Sequence, residues 1–437
     1  MKVQKFGGTS VGSANRIKDV ASLITKSSGR NIIVLSAMSG TTNSLLEIAD
    51  SLREGNIEKA VSSLNVLHDK YRAVISELFD SKTEREKVST IIDNIFKSIR
   101  NDFNKDFDLP TEKRIVAQGE ILSTNLMYEY LLSQNKKVAF IQALDFMMVD
   151  SNGDPDFRFI KEKLNSLLDQ LQDYDLFLTQ GFITRNEKGE VDNLLRGGSD
   201  YTASIIGAVI KADEVDIWTD IDGMHNNDPR FVEDTSPVHN LHFEEAAELA
   251  YFGAKILHPT CILPAKVNNI PVRLLNTMEP TAEGTLINNE MELGTIKAVA
   301  AKDNITAIKI KSSRMLLAYG FLKKVFEVFE KYRTPIDMIA TSEVGVSLTI
   351  DDDSHIDDII KDLEKLGTVT VDRNMVIICV VGDLEWQNKG FEARALDALR
   401  NIPVRMISYG GSNYNISFLI DKSNKTKALR LLSYHLF

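Results

Sequence analysis

MKVQKFGGTSVG, residues 1–12, sets how the rest of the chain is read. Val3 and Phe6 give a short apolar run that carries one lysine, Lys5, and breaks into Gly7-Gly8-Thr9-Ser10. A helix-like segment starts at Ser13. The stretch reads as strand, glycine turn and helix N-terminus. Glycines let the backbone approach an anion closely, and free N–H groups at a helix start point toward it. Lys5 adds a point charge just before the turn. The pattern points to a phosphate site, although an ordinary strand-to-helix turn has the same look.

The pattern recurs. NIIVLSA (31–37) is a buried-type strand that breaks at SGTTN (39–43), and a helix follows with Leu45, Leu46, Ile48, Ala49 and Leu52 on its apolar side. Residues 56–107 are polar and helical, with an apolar stripe through Ile57, Ala60, Val61, Leu64, Leu67, Val74, Ile75 and Leu78. They form either a lid or covering helices for a sheet. The next helix holds Gly119-Glu120. A mid-helix glycine costs about 1 kcal/mol, so its place there hints at close packing or a site. Strands are expected at 137–142 and 175–184, with a hairpin turn at 185–191.

NLLRGGSDYTASIIGAVIKA (193–212) repeats the strand–turn–helix order. Ser199 and Asp200 suit the N-cap and first turn of a helix over 201–212. The Arg196 fork suits a carboxylate, and Asp200 suits Mg²⁺ or substrate orientation. EVDIWT (214–219) is a strand ending in Asp220-Ile221-Asp222-Gly223, with a polar loop on to Asp228-Pro229-Arg230. A helix over 241–253 leads to Lys255, placed to reach a phosphate or to sit on the surface. His258-Pro259 sets up a helix over 260–268, and 272–275 is a last strand. Alternating strands and helices predict a parallel sheet with ligands at the C-terminal strand ends.

After Thr295 glycine turns thin out and short elements of even length appear. From Arg314 the order is strand (315–318), helix (321–332), strand (336–342), strand (346–350), helix (355–366), strand (368–373). That is βαββαβ, a ferredoxin-like unit. From Met375 the order is βαββα, one strand short. The spare strand Ile305 to Lys311 is expected to complete it, so that the first unit is inserted in the second.

The 437 residues suggest two to four domains, and 43% hydrophobic with 26% charged residues is ordinary for a globular protein. A net charge of −11 argues against a nucleic-acid or anionic-membrane partner. Cys261 and Cys379 sit in apolar surroundings without metal-ligand spacing, so no metal ligands are assigned and a reducing compartment fits. No stretch approaches a membrane span of about 20 apolar residues or a signal-peptide core. The expectation is a cytoplasmic protein.

These residues resemble the aspartate kinase family along the whole chain. KFGGTSVG (5–12), LSAMSGTTN (35–43), QGEILST (118–124), RGGSDYTA (196–203), WTDIDG with DPR (218–230) and GAKILHP (253–259) follow in that family's order. The resemblance implies an α/β amino-acid-kinase fold, a three-layer αβα sandwich with a mainly parallel sheet over 1–295. It also implies two ferredoxin-like ACT domains, the first at 312–373 and the second formed by 296–311 with 374–437. The activity implied is transfer of the ATP γ-phosphoryl group, with Mg²⁺, to the side-chain carboxylate of L-aspartate. Such a transfer needs positioning and charge neutralisation more than covalent chemistry.

By motif position, Lys5 and Asp200 are the implied catalytic residues. Lys5, Gly7, Gly8, Thr219, Asp220, His225, Arg230 and Lys255 would bind ATP. Ser36, Thr42, Glu120, Arg196, Gly197, Gly198 and Ser199 would bind aspartate, with Glu120 on the ammonium and Arg196 on the α-carboxylate. Met315, Gly320, Phe321, Leu322, Asp337, Thr341, Ser342 and Glu343 match the effector-binding pattern of lysine-inhibited members, and Asp337 or Glu343 is expected to pair with a cationic effector. L-lysine is the expected inhibitor, with threonine as the alternative. The chain stops after the ACT pair, as in the monofunctional enzymes, and is expected to form a homodimer or a dimer of dimers through it.

The chain departs from the pattern at His225, where tyrosine is common, at Asn226 and Asn227, at Leu195, and at Ala318, a frequent serine. Two other readings stand beside the kinase. A related kinase could act on glutamate or carbamate, which the Glu120–Arg196 pair and the ACT pair argue against. A non-catalytic amino-acid sensor would lack Lys5, Asp200 and Lys255.

Overall fold

The computed structural model describes residues 1–103, 107–194, 197–253, 257–315 and 319–437. Contacts divide the chain into two compact units, Met1–Gly223 with Leu257–Asn289, and Met224–Ile256 with Glu290–Phe437. The expected positions Leu195, Arg196, Lys255 and Ala318 lie outside the described residues.

In the first unit the apolar runs become strands, because each is short, rich in β-branched residues and closed by a turn. The sheet runs Val138–Phe140, Leu176–Gln180, Asn31–Leu35, Lys2–Phe6, Val215–Thr219, Val272–Asn276, Thr285–Asn288. The pairings are parallel up to Val272–Asn276, and Thr285–Asn288 adds antiparallel to it. This last strand was not in the sequence reading. The N-terminal strand is central: Val3 and Phe6 are fully buried, and Phe6 stacks on Trp218 of the next strand with ring centroids 5.7 Å apart. Burying one such side chain contributes about 2–3 kcal/mol.

The polar stretch at 56–107 is a pair of long helices, Ile57–Leu78 and Lys82–Asp102, whose stripe (Leu64, Leu67, Tyr71, Ile75, Ile92, Phe96) joins the core beneath the sheet. Asn56 caps the first of them by accepting from Lys59 N–H at 3.1 Å. The following helix, Leu109–Ser133, is capped by Asp108 and carries Gly119 and Glu120 on its buried face. A Cβ at Gly119 would sit 2.9 Å from Ala37 Cβ, which explains the mid-helix glycine as close packing.

Three local expectations are corrected. The strand expected over 175–184 breaks in two, Leu176–Gln180 and Ile183–Arg185, because Phe182 turns the backbone to φ +64°. The helix expected from 201 starts at Gly198 with Gly197 (φ +71°) as its N-cap, so Ser199 lies inside the helix and only Asp200 keeps its first-turn place. The helix expected over 260–268 is a 3₁₀ turn, Pro259–Ile262, followed by a short helix, Leu263–Val267.

In the second unit one antiparallel sheet runs Ile339–Ser342, Gly345–Ile350, Ile296–Lys311, Thr368–Gly382, Asn415–Asp421, Val404–Tyr409. Its two central strands are long and serve both ferredoxin-like halves. Ile305–Lys311 pairs with Gly345–Ile350 and with 368–372, and is thus the first strand of the first half. The strand that completes the second half is instead 296–302, paired with 377–382. The segment expected to close the second half, 305–311, and the segment that pairs there are two parts of one continuous strand. The register slips between Lys302 and Ala307, and Asn304 and Asn374 take positive φ at the two seams. Residues 313–315 form a 3₁₀ turn where a strand over 315–318 was expected, and the remainder of that stretch is not described. Each half has its own core, one around Ile308, Val325, Phe329 and Leu348, the other around Ile378, Phe418, Leu429 and Leu432.

No helix among the described residues is long and apolar enough to cross a membrane.

Candidate active site

Five parallel-strand ends converge. The hydrogen-bond ladder continues one residue past four of them: Gly7 N–H donates to Trp218 O, Ser36 N–H to Phe6 O, Gly181 N–H to Leu35 O and Thr277 N–H to Thr219 O, all at 2.8–3.1 Å. Gly7, Ser36, Gly181 and Thr219 are therefore held side by side at the edge where an open α/β sheet binds ligands.

The glycine turn fits tightly against its neighbour. A Cβ at Gly8 would lie 2.7 Å from Ala37 O, so no side chain fits without moving backbone. Ser39 N–H donates to Gly8 O at 3.0 Å, tying the opening turn to the second one. Ser10 Oγ and Thr277 Oγ1 share a hydrogen bond of 2.6 Å beneath them.

Lys5 reaches across the turn. Its Nζ lies 2.6 Å from Asp200 Oδ1, with both side chains about nine-tenths buried. Asp200 comes from the first turn of the helix Gly198–Ile210. The strand end and the helix start thus hold one cation and one anion at the same point. A Cβ at Gly7 would be 3.6 Å from Lys5 Nζ, which places the ammonium directly over the turn.

Glu120 forms the second wall. It is 4% exposed, and one carboxylate oxygen accepts from Ala37 N–H at 3.1 Å. The other oxygen is buried without a partner. Burial pushes its pKa up to about 8, against the pull of the Ala37 N–H and of Lys5. Two turns of helix thus press a carboxyl group against the second strand end, where Ser123 Oγ also donates to Ser36 O at 2.7 Å. A buried carboxyl with a free oxygen is poised for a cationic ligand group.

The remaining expected positions fall as follows. Ser36 and Thr42 are half-buried on either side of the Ser39-Gly40 turn, and Ser199 is buried in the helix that bears Asp200. Thr219 Oγ1 donates to Asp220 Oδ1 at 3.2 Å, and Asp220 is exposed. His225 and Arg230 belong to the second unit. There Arg230 forms a two-pronged pair with Asp228, 2.6 Å at its shortest, and His225 Nδ1 lies 3.0 Å from Thr235 Oγ1. The departures Asn226 and Asn227 are buried pins. Asn226 Oδ1 accepts from Ser236 N–H at 2.9 Å, and Asn227 Nδ2 donates to Leu429 O at 3.1 Å.

Phe182, beside the turn that opens the Asp200 helix, did not figure in the sequence reading. Its positive φ is strained for a bulky residue, and its ring fills the space beside Gly198, where a Cβ would be 2.5 Å from Phe182 Cδ2. Nothing in the residue pattern announces that conformation.

The effector-pattern residues lie in the first ferredoxin-like half. Phe321 is buried at the start of the helix Phe321–Lys331, Met315 and Leu322 pack beside it, and Gly320 is the helix N-cap. Thr341, Ser342 and Glu343 are exposed on the hairpin that joins the two edge-side strands. Asp337 or Glu343 was expected to pair with a cationic effector, and of the two Asp337 is the one with a buried side chain. Its fully buried carboxylate already holds Lys302 Nζ at 2.6 Å and Tyr251 Oη at 2.8 Å.

Residues 1–276 match the amino acid kinase family, and residues 378–436 match the ACT domain. Aspartokinase 1, chloroplastic, of Arabidopsis thaliana is 34% identical over 459 residues, covering all of this chain and 80% of that protein. The chain belongs to the aspartokinase family. Kinase chemistry on aspartate comes with that membership. The structure of Escherichia coli aspartokinase III in complex with aspartate and ADP is matched over 100% of both chains, with a TM-score of 0.84 at 31% identity. The same enzyme in complex with lysine and aspartate is matched over the same span, with a TM-score of 0.83 at 32% identity.

Proposed function

We propose that this chain transfers the γ-phosphoryl group of ATP to the side-chain carboxylate of L-aspartate, giving 4-phospho-L-aspartate. We further propose that this opens lysine, threonine and methionine biosynthesis and is inhibited by lysine. The observation that carries the aspartate reading is Glu120, whose buried, unpartnered oxygen suits the ammonium of an amino acid beside the Lys5–Asp200 pair. Arg196 would take the α-carboxylate, and Ser36, Thr42, Gly197, Gly198 and Ser199 would shape the rest of that pocket together with Phe182.

Lys5 neutralises phosphate charge over the amides of Gly7 and Gly8, and Thr219 and Asp220 hold the nucleotide. Charge placed where charge develops is the main source of rate in such transfers. Mg²⁺ suits the site as a companion of the phosphates. It takes hard oxygen ligands, often one or two carboxylates plus phosphate oxygens, and Asp200 is the carboxylate at the transfer point. No group of three or more acidic, histidine or cysteine side chains among the described residues would hold a metal by itself.

The lysine reading is supported by the E. coli relative solved with lysine and by the effector pattern from Met315 to Glu343. The kinase part is taken as 1–295 and the regulatory pair as the remainder, with seams at Asn304 and Asn374. Ile339, Ile407 and Tyr409 stay exposed on the two edge strands, which supports pairing of a second copy there. The two free buried thiols, Cys261 and Cys379, support a cytoplasmic location.

The test is incubation with ATP, Mg²⁺ and L-aspartate, trapping the acyl phosphate with hydroxylamine. Hydroxamate should form with aspartate and not with glutamate. Its absence with every acid tried would end this reading.

A further inference from the structure

The helix Ile57–Leu78 came from a segment whose role, lid or cover, the sequence left open. Two neighbours on it reach the second glycine turn. Lys70 Nζ donates to Ser39 O at 2.6 Å, and Tyr71 Oη shares a hydrogen bond of 3.1 Å with Thr41 Oγ1. These contacts straddle Gly40, which takes φ +80° and serves as the uncapped N-cap of the helix Thr41–Arg53. Tyr71 and Thr41 are both fully buried. Thr41 also packs on the helix of Glu120, since a Cβ at Gly119 would lie 3.5 Å from Thr41 Cγ2.

We propose that Lys70 and Tyr71 are positioning residues for phosphoryl transfer: they lock the Ser39–Thr41 turn and thereby aim Thr42 and the first amides of the helix at the reacting carboxylate. A surface lysine needs no such place. Lys70 is half-buried, no carboxylate lies within ion-pair distance of it among the described residues, and its ammonium is spent on a backbone carbonyl. The turn is then fixed from three sides: by Gly8 O on Ser39 N–H, by Glu120 on Ala37 N–H, and by the Lys70–Tyr71 clamp. Only Gly40 in the αL region allows a carbonyl to face Lys70 while the next residue enters the helix. Small displacements of positioning groups have large effects on rate, because the reacting atoms must be held close to attack distance.

The inference rests on the role proposed for Thr42, and a double-mutant cycle on kcat separates the two. Tyr71→Phe keeps the ring and removes one hydroxyl. Lys70→Met keeps the stem and removes the ammonium. Each should lower kcat about tenfold, the size of one lost hydrogen bond, while KM for ATP stays within about twofold. Lys70→Arg should restore part of the rate. In a Thr42→Ala background, Tyr71→Phe should have little further effect, because the group it aims is gone. If Thr42→Ala alone leaves kcat unchanged, the proposed role of Thr42 fails. If Thr42→Ala is impaired but Tyr71→Phe is not, or if the two effects simply multiply, the clamp is structural and this inference is wrong. A fall in melting temperature with kcat intact overturns it equally.

Discussion

Tyr251 Oη donates to Asp337 Oδ1 at 2.8 Å, and Lys302 Nζ reaches the same oxygen at 2.6 Å. Lys302 also lies 2.9 Å from Asp351 Oδ2 and 4.3 Å from the centre of the Tyr251 ring. Tyr251 ends the helix Phe243–Tyr251 within the stretch that matches the kinase family, whereas Asp337 precedes an edge strand of the regulatory sheet. One ammonium thus ties a kinase-family helix to one of the two carboxylates, Asp337 and Glu343, expected to pair with the effector. If Asp337 is the carboxylate that meets the effector, an external ammonium competes with this internal one. Lys302→Met should therefore lower the lysine concentration for half-inhibition about tenfold, the worth of one charge-assisted hydrogen bond of about 1.5 kcal/mol. Inhibition curves of the intact enzyme check it, and a shift to higher lysine would show that Lys302 supports the effector site.

Removing Lys5 should separate rate from stability. Lys5→Ala leaves Asp200 as a nearly buried carboxylate without its cation, which costs about 3–5 kcal/mol of stability. It should also lower kcat by about 10²–10³, the effect of losing one preorganised charge. Adding Asp200→Asn should recover most of the melting temperature and none of the turnover. Recovery of turnover in the double variant would mean that Lys5 serves only to neutralise Asp200.

Glu120 predicts a pH dependence of aspartate binding. With its pKa near 8 in the free enzyme, the carboxyl is largely protonated below that pH and must lose the proton to meet an ammonium. The kcat/KM for aspartate should rise with pH up to about 8 and level off above it. Glu120→Gln keeps the shape and the Ala37 N–H bond. It should flatten the profile and raise KM for aspartate far more than KM for ATP.

A second buried acid sits at the opposite end of the sheet and predicts a stability profile. Asp216 is 3% exposed, and burial together with the neighbouring Glu214 pushes its pKa up to about 7 from an ordinary 3.8. Folding therefore takes up a proton between about pH 4 and 7, and stability falls as pH rises through that window, by at most about 1.4 kcal/mol per unit. Glu214, held down to about 2 by Arg273 and Lys2 from an ordinary 4.5, adds an opposing slope only below about pH 5.5, where the unfolded chain begins to protonate it. Asp216→Asn should melt higher than the parent at pH 8 and lose most of that advantage at pH 5. An unchanged pH profile in the variant would place the proton elsewhere.

Much of the first unit was legible because its signals are local. The glycine turn after Phe6, the mid-helix Gly119 and the first-turn Asp200 each follow from backbone space or helix electrostatics, and each fell where those rules put it. What was missed depends on partners distant in sequence. Tyr71 looks like one more residue of an apolar stripe until Thr41 meets its hydroxyl. Phe182 takes a positive φ beside Gly198, sixteen residues further along the chain. The regulatory strands were cut at the wrong places because a strand that bulges at Asn304 or Asn374 reads as two, asparagine being one of the few side chains tolerated there. Asn227 read as a departure from a nucleotide loop, and only the carbonyl of Leu429 shows why an amide is placed there.

The sharing of two long strands between the regulatory halves also dictates an order of assembly. Residues 296–302 are synthesised before the whole first half, yet their sheet partner 377–382 comes only after it. On the ribosome that segment waits as an open strand edge while the first half closes. Such edges are where a nascent chain goes astray, by pairing with a neighbour of its own kind. Lys297 and Lys302 put two charges on this waiting segment, which works against such pairing until 377–382 has been made.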